Sequence, residues 1–334
     1  MQFSGEPLGE ALRRMTLGQL DLAIELLAAE RDDAAIGGKR EKQKSKSKSK
    51  GKGEKKGKGQ RKGSGNVLDE RAIHETRKAL KRLRALVRLL REELGEQQFR
   101  REHEILRDAA RRLARARDAE VMVGTLDALI ERGPRKLGRR RPIVELRKRL
   151  LAERAAAARR ALEDRATRAQ VLDDLRGMRE RAQRWDLPEQ PGIAILESDL
   201  RRIYRQGRRR MRRIQRGKHG ARAMHEWRKR VKDLRYAADI LGLRALSRRA
   251  DTLGELLGEE HDLVVLAGLL PAPGRAPFKG KRGRRARKAL LKQIARRRRS
   301  LRKQALRKGE RLYRRKPKKF ARRARRTHAR VSHI

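Results

Sequence analysis

A helix-length segment occurs twice in this chain, as IHETRKALKRLRALVRLL from Ile73 to Leu90 and as MHEWRKRVKDLRYAADIL from Met224 to Leu241, the two histidines standing 151 positions apart. No other feature restricts the fold as much, because two copies of one unit imply one architecture built twice. In both copies a histidine is followed at +3, +4, +7 and +10 by a base: His74 with Arg77, Lys78, Lys81 and Arg84, and His225 with Arg228, Lys229, Lys232 and Arg235. At about 3.6 residues per turn these positions form one cationic stripe. Opposite it lie Ile73, Leu80, Leu83, Val87 and Leu90 in the first copy, and Met224, Trp227, Val231, Leu234, Ala238 and Leu241 in the second. One face of each helix packs and the other is left to meet an anion.

The net charge of +54 points to a polyanionic partner, but it is distributed unevenly over the 334 residues. Residues 39–65 carry a net +11 and residues 275–334 a net +27, which leaves +16 for the rest. Cysteine is absent, which excludes disulfides and cysteine-ligated metals and fits a reducing compartment. With no signal-peptide order at the start and no run near the roughly 18 apolar residues of a membrane span, the expectation is a cytoplasmic protein with no membrane partner.

Apolar residues at helical intervals predict a first helix from Leu8 to about Glu30, ended by Gly37 and Gly38. Residues 39–65 contain no apolar side chain, so a disordered insertion within the first half is expected there. The first repeat helix should run from Val67 to Leu94, with Gly95 as its stop, followed by helices over Phe99–Ala116, Ala119–Ile130 and Ile143–Arg184. DLPEQPG at Asp186–Gly192 is the expected seam between halves of about 1–187 and 192–320. Beyond it, helices are expected over Ile193–Gln215, Ala221–Leu241, Leu246–Gly258, Leu263–Leu270 and Arg284–Tyr313, and residues 321–334 read as a basic tail. The fold class is all-α, with about four helical elements in each half.

The His-x-x-Arg-Lys-x-x-Lys-x-Leu-Arg pattern, present twice on a predicted helix, resembles that of the CHAD family, the conserved histidine alpha-helical domain. The Arg117/Asp118 and His261/Asp262 pairs and the late segment RLYRRKPKKF at Arg311–Phe320 look like the family's as well. The resemblance implies two pseudo-symmetric four-helix bundles around a basic central groove that binds inorganic polyphosphate, and a place at polyphosphate granules. It departs from proteins that carry a fused CYTH triphosphatase domain, because the Glu-x-Glu-x-Lys motif is missing: Glu102 and Glu104 are followed by Leu106 where lysine belongs.

Polyphosphate is a chain of anions and needs many donors along a track, which arginine forks and lysine ammonium groups supply. His74, Arg77, Lys78, Lys81, Arg84, His225, Arg228, Lys229, Lys232, Arg235 and Tyr236 are therefore the expected polyphosphate-binding residues. Each histidine either donates to phosphate or orients a neighbouring base. Tyr236, on the basic side at +11 from His225, either offers its hydroxyl to a phosphate or packs at the helix interface. Trp227 reads as core. Asp118 and Asp262 each precede a short apolar segment and read as N-caps, with a role in orienting a cationic side chain as the alternative.

The rival class is a sequence-independent nucleic-acid binder that uses the basic insertion and tail. Aromatic residues are only 3% of the chain, which argues against the stacking platforms of dedicated single-strand readers. An enzyme is not expected, because no Walker A loop, Gly-x-Ser-x-Gly or His-Glu-x-x-His is present and Glu75 and Glu226, next to the histidines, face elsewhere on their helices. No cofactor or metal is called for.

Overall fold

Leucine and alanine at three- and four-residue spacing drive this chain into helices whose apolar stripes must find one another. A computed structural model describes residues 7–44, 64–113, 115–134, 136–163, 165–187, 196–217 and 220–332. Among the described residues there are eleven helices and no strand. The first six are α1 (Leu8–Lys44), α2 (Ser64–Leu89), α3 (Arg91–Arg112), α4 (Arg115–Glu131), α5 (Arg141–Glu163) and α6 (Arg165–Gln183). The remaining five are α7 (Glu197–Gln215), α8 (Ala221–Ile240), α9 (Arg244–Leu269), α10 (Gly280–Leu312) and α11 (Pro317–Ser332).

Helices α1, α2, α3 and α6 pack in a ring, each against the next, and α7, α8, α9 and α10 close a second ring; α2 lies against α8 between them. The apolar faces of α2 and α8 are buried at every position expected from the repeat, from Ile73 to Leu90 and from Met224 to Leu241. All of them but Ile73 belong to one core that also takes in Leu12, Leu20 and Leu27 of α1, Leu175 and Met178 of α6 and Tyr204 of α7. A second core joins the α4–α5 hairpin to the distal ends of α9 and α10, through Met122, Leu126, Ile143, Leu146, Leu263, Leu266, Leu290 and Ile294.

Buried charge ties the rings internally. Glu102 of α3 is fully buried and accepts both Nε and Nη2 of Arg181 on α6, at 2.7 and 2.9 Å. Glu260 of α9 is likewise buried and accepts from Arg298 and Arg302 of α10. Such pairs are costly to break, because removing one partner leaves a buried charge uncompensated.

Several expected boundaries are corrected. Helix α1 passes through Gly37 and Gly38 and ends at Lys44, because glycine lowers helix propensity by only about 1 kcal/mol and no proline follows. Residues 39–44, expected to be disordered, are thus helical, while 45–63 of that insertion lie outside the described residues. The first break after the repeat helix falls at Leu90, and Gly95, at φ 71°, is a left-handed kink within α3 and not the end of α2. The pair expected to break near Arg117 breaks instead after Leu113, and the helix expected over Ile143–Arg184 is described as α5 and α6 on either side of residue 164, which lies outside the described residues. Helix α9 is continuous through Gly258, where two helices were expected. The segment read as a tail forms α11, which packs against α7 and buries Phe320, Ala321, Ala324 and His328. The expected seam lies partly outside the described residues, since 188–195 are not among them.

Candidate polyanion-binding site

The apolar backs of α2 and α8 fix where their basic stripes point. Trp227 is fully buried, as expected for a core residue, and α10 reaches it through Gly309, where an added Cβ would stand 2.6 Å from Cζ2 of the indole. Pinned this way, α8 presents Arg228, Lys232 and Arg235 to a cleft of about 630 Å³. The walls are completed by Thr125 of α4 and Arg132 just beyond its end, by Asp251, Glu255, Glu259 and Asp262 of α9, and by Arg297 of α10.

Lys232 sits where the two stripes meet. Its ammonium pKa is pushed down to about 7, first by burial and then by the charges of Arg228, Lys81 and Arg235, with Asp262 acting in the opposite sense. Lys81, on α2, is thus close enough to Lys232, on α8, for the two to repel. Arg228 is also lowered by burial, and its Nε is buried without a hydrogen-bond partner. Asp262 offsets part of this charge, and cations that outnumber the acids beside them cost stability until an anion neutralises them. Arg235 is different: its Nε lies 2.9 Å from Asp251, and its guanidinium stands over the Tyr236 ring at 5.1 Å. Tyr236 itself is half-buried and packs against the main core, which matches the interface reading of that residue.

The equivalent position in the first half has other company. Arg84 is held near Asp233, Arg230 and Arg107, and its pKa falls mainly through burial. Asp233 also pairs with Arg88 and, at 3.1 Å, with Arg230. His103 joins this cluster 3.0 Å from Arg88, and burial among the arginines holds it down to about 4. Arg77 donates to the carbonyl of Leu113 at 2.6 Å, at the C-terminal end of α3. The structure therefore brings Lys81 together with the α8 stripe, whereas Arg84 faces a cluster of its own around Asp233.

Lys78 and Lys229 are exposed and pair with Glu75 at 2.7 Å and Glu226 at 2.9 Å, so the carboxylates expected to face away turn back toward the stripe. The correction follows from three-residue helical spacing, which places side chains at i and i+3 side by side. His225 packs against His261 with ring centroids 4.4 Å apart. Burial, then His261, Lys229 and Arg228, hold its pKa down to about 4. His74 is half-buried on α2. Asp262 lies inside α9 and not at a helix start, so the N-cap reading is corrected; its charge acts on Arg228 and Lys232. The side chains of Arg117 and Asp118 lie outside the described residues; on the backbone Asp118 falls inside the first turn of α4.

Of the expected stripe, the cleft lining takes in Arg228, Lys232 and Arg235, whose shared face was legible from spacing. The cleft's opposite wall, Arg132, Arg297, Asp251, Glu255 and Glu259, was not, because no local pattern links those residues to α8. Among the described residues no group of three or more His, Cys, Asp or Glu is placed to hold a metal ion. None of the described helices is long and apolar enough to cross a membrane.

Known proteins agree with this architecture. The family described as CHAD domain matches residues 60–271, which is more than half of the chain. The protein belongs to the CHAD family. Its structure is similar to the crystal structure of the CHAD domain from the plant Ricinus communis, with a TM-score of 0.57, 20% sequence identity, and coverage of 88% of this chain and 89% of that one. At that identity the likeness speaks for the fold. No curated protein matches the chain.

Proposed function

We propose that the protein binds inorganic polyphosphate along a track formed by the α2 and α8 stripes and that this binding places it at polyphosphate granules in the cytoplasm. The observation that carries the reading is the meeting of Lys81 and Lys232 where α2 packs on α8, with Arg228 and Arg235 continuing into the cleft. Membership of a family associated with polyphosphate binding supports it. In this reading the two rings are four-helix bundles related by a pseudo-twofold axis, and the track is the basic groove between them. A polyanion supplies the negative charge that Asp262 only partly provides to Lys232 and Arg228, so the cost of assembling these cations becomes binding specificity. The role is one of binding without catalysis, and no cofactor takes part. His74 and His225 flank the track, and His225, held neutral, donates from a ring nitrogen without adding charge.

The test compares the full chain with two double variants in long-chain polyphosphate binding at about 150 mM salt, where exposed charges are screened beyond roughly 8 Å. Lys81→Glu with Lys232→Glu is expected to weaken binding by tenfold or more, in line with about 1.5–3 kcal/mol per charge-assisted contact. Lys46→Glu with Lys55→Glu, in the insertion, should change it less than about threefold, as expected where charge contributes only a general field that salt screens. Equal losses would reduce the stripes to generic electrostatics and overturn the proposal.

A further inference from the structure

The molecule holds a second concave basic surface, on the side where α11 docks. Tyr204 of α7 stacks on Phe320 of α11 with ring centroids 3.8 Å apart, and its hydroxyl donates to the carbonyls of Leu312 and Arg315 at 3.2 Å. His328 Nδ1 lies 2.9 Å from the carbonyl of Leu241, which ties the far end of α11 to the end of α8. Between α11, the start of α9 and the end of α10 runs a groove of about 730 Å³. Its rim is Arg244, Arg248, Arg249, Arg311, Arg314, Arg315 and Arg323. Its floor is apolar, with Leu243, Leu246, Leu312, Phe320 and Ala324. Two smaller hollows that share rim residues extend it in both directions, one toward Lys308 and the other toward Lys319, Arg322 and Arg326.

Two properties separate this groove from the α8 cleft. No carboxylate lines it or its two extensions, and among the described residues none of the seven rim arginines is paired with a carboxylate. The cations are also arginine throughout the main groove, and they stand above apolar surface. Inorganic polyphosphate could use the rim but has nothing to place on the floor. A nucleic-acid duplex keeps its bases inside its own stack, so it too would meet only the rim. A lipid surface would be met by projecting apolar side chains, and the exposed large hydrophobics, Leu22, Val144, Leu151 and Leu269, are not among the residues of this groove. A single strand offers both parts, phosphates spaced along a backbone and unpaired planar bases that stack on exposed guanidinium planes and lie over Leu246, so the site needs no exposed aromatic platform. We propose that the groove bounded by α9, α10 and α11 is a binding site for single-stranded nucleic acid, separate from the polyphosphate track.

The experiment measures anisotropy of labelled single strands of about 20 nucleotides on the full-length protein across a salt series. Arg249→Glu with Arg314→Glu, both at exposed positions, is the groove variant, and circular dichroism checks that its fold is kept. It is expected to lose single-strand affinity tenfold or more, and losing two phosphate contacts should make the salt slope shallower by about 1.4. Polyphosphate affinity of the same variant should stay within about threefold, because the track keeps all its cations. An abasic strand should bind at least fivefold more weakly than the base-bearing one, since stacking contributes about 1–3 kcal/mol per base. The proposal is overturned if the abasic strand binds equally well, if the groove variant binds single strands unchanged or loses both ligands alike, or if anionic phosphatidylserine vesicles displace the strand better than unlabelled strand does. The polyphosphate reading fails separately, if Lys81→Glu with Lys232→Glu keeps full polyphosphate affinity.

Discussion

The α8 cleft and the α11 groove are both basic hollows between helices, yet they handle charge in opposite ways. The cleft pairs Arg235 with Asp251, sets Asp262 near Arg228 and Lys232, and holds Glu259 between Arg132 and Arg297, so its cations are partly neutralised before any ligand arrives. The groove has arginines and no carboxylate. Charge density alone therefore does not define a site. What differs is whether neighbouring acids restrain the cations, and a site with its own acids admits only an anion strong enough to displace them.

The largest effect is expected from Phe320→Ala, which separates the two surfaces by stability. Phe320 is buried against Tyr204, and its truncation should cost about 3–5 kcal/mol, lower the melting temperature and loosen α11. Limited proteolysis should then cut within 317–332 while polyphosphate binding at the cleft persists. Loss of both surfaces together would show that α11 supports the whole molecule. Gly309→Ala should act from the other side. A Cβ there would meet Trp227 at 2.6 Å and Met211 Sδ at 2.9 Å, and overpacking of this kind costs roughly 1–3 kcal/mol. Because Trp227 backs the stripe, this variant should also weaken the cleft, whereas the groove should change little at equal folded fraction.

These two variants also mark how far the sequence could be read. Helix α8 was expected over Ala221–Leu241 and is found over Ala221–Ile240, because a periodic apolar face with a polar opposite leaves little choice. Gly258 misled because a glycine after a leucine run resembles a helix stop. Inside α9 it faces Arg228 of α8, whose Nε would lie 3.7 Å from an added Cβ, an ordinary contact, so neither space nor backbone angle requires a glycine or a helix end there. Helix α11 was hidden by its own charge: Phe320, Ala321, Ala324 and His328 keep helical spacing, but arginines and lysines fill nearly every other position. The groove was equally hidden, since its rim gathers arginines from 244–249, 311–315 and 323. The proximity of Lys81 and Lys232 depends on α2 packing against α8, which no local pattern encodes.

Acidity should separate the surfaces next. Lys232, held down to about 7, faces Arg228 and Arg235 on its own helix, Lys81 on α2, Asp262 on α9, and a cleft lined by Asp251, Glu255, Glu259, Arg132 and Arg297. An unfolded lysine keeps its proton to about 10.4, so the unfolded state binds the extra proton between pH 7 and 10 and stability rises with pH across that window. Anion binding has the opposite sign, because a bound polyphosphate restores the proton. Affinity should fall several-fold between pH 7 and 8, and calorimetry at pH 8 in buffers of different ionisation enthalpy should report uptake of up to one proton. Lys232→Arg should remove both effects. The groove, whose rim is arginine, should show a flat profile over the same range. His225 and His103, both held near 4, contribute no change there.

The smallest effect tests the restraint itself. Asp251 holds Arg235 at 2.9 Å in a pair that is about two-fifths exposed on the carboxylate side, and such exposed pairs contribute roughly 0–1 kcal/mol. Asp251→Asn keeps the side-chain shape, removes the competing charge and frees the guanidinium for phosphate. Polyphosphate should bind about two- to fivefold more tightly at low salt, with the gain fading as salt rises, while single-strand binding at the groove stays unchanged. The contrast between the surfaces predicts that only the cleft can gain affinity by losing an acid, since no carboxylate lines the groove. If Asp251→Asn weakens polyphosphate binding instead, the aspartate positions Arg235 for the ligand. The cleft's acids would then be part of its recognition surface and not a restraint on it.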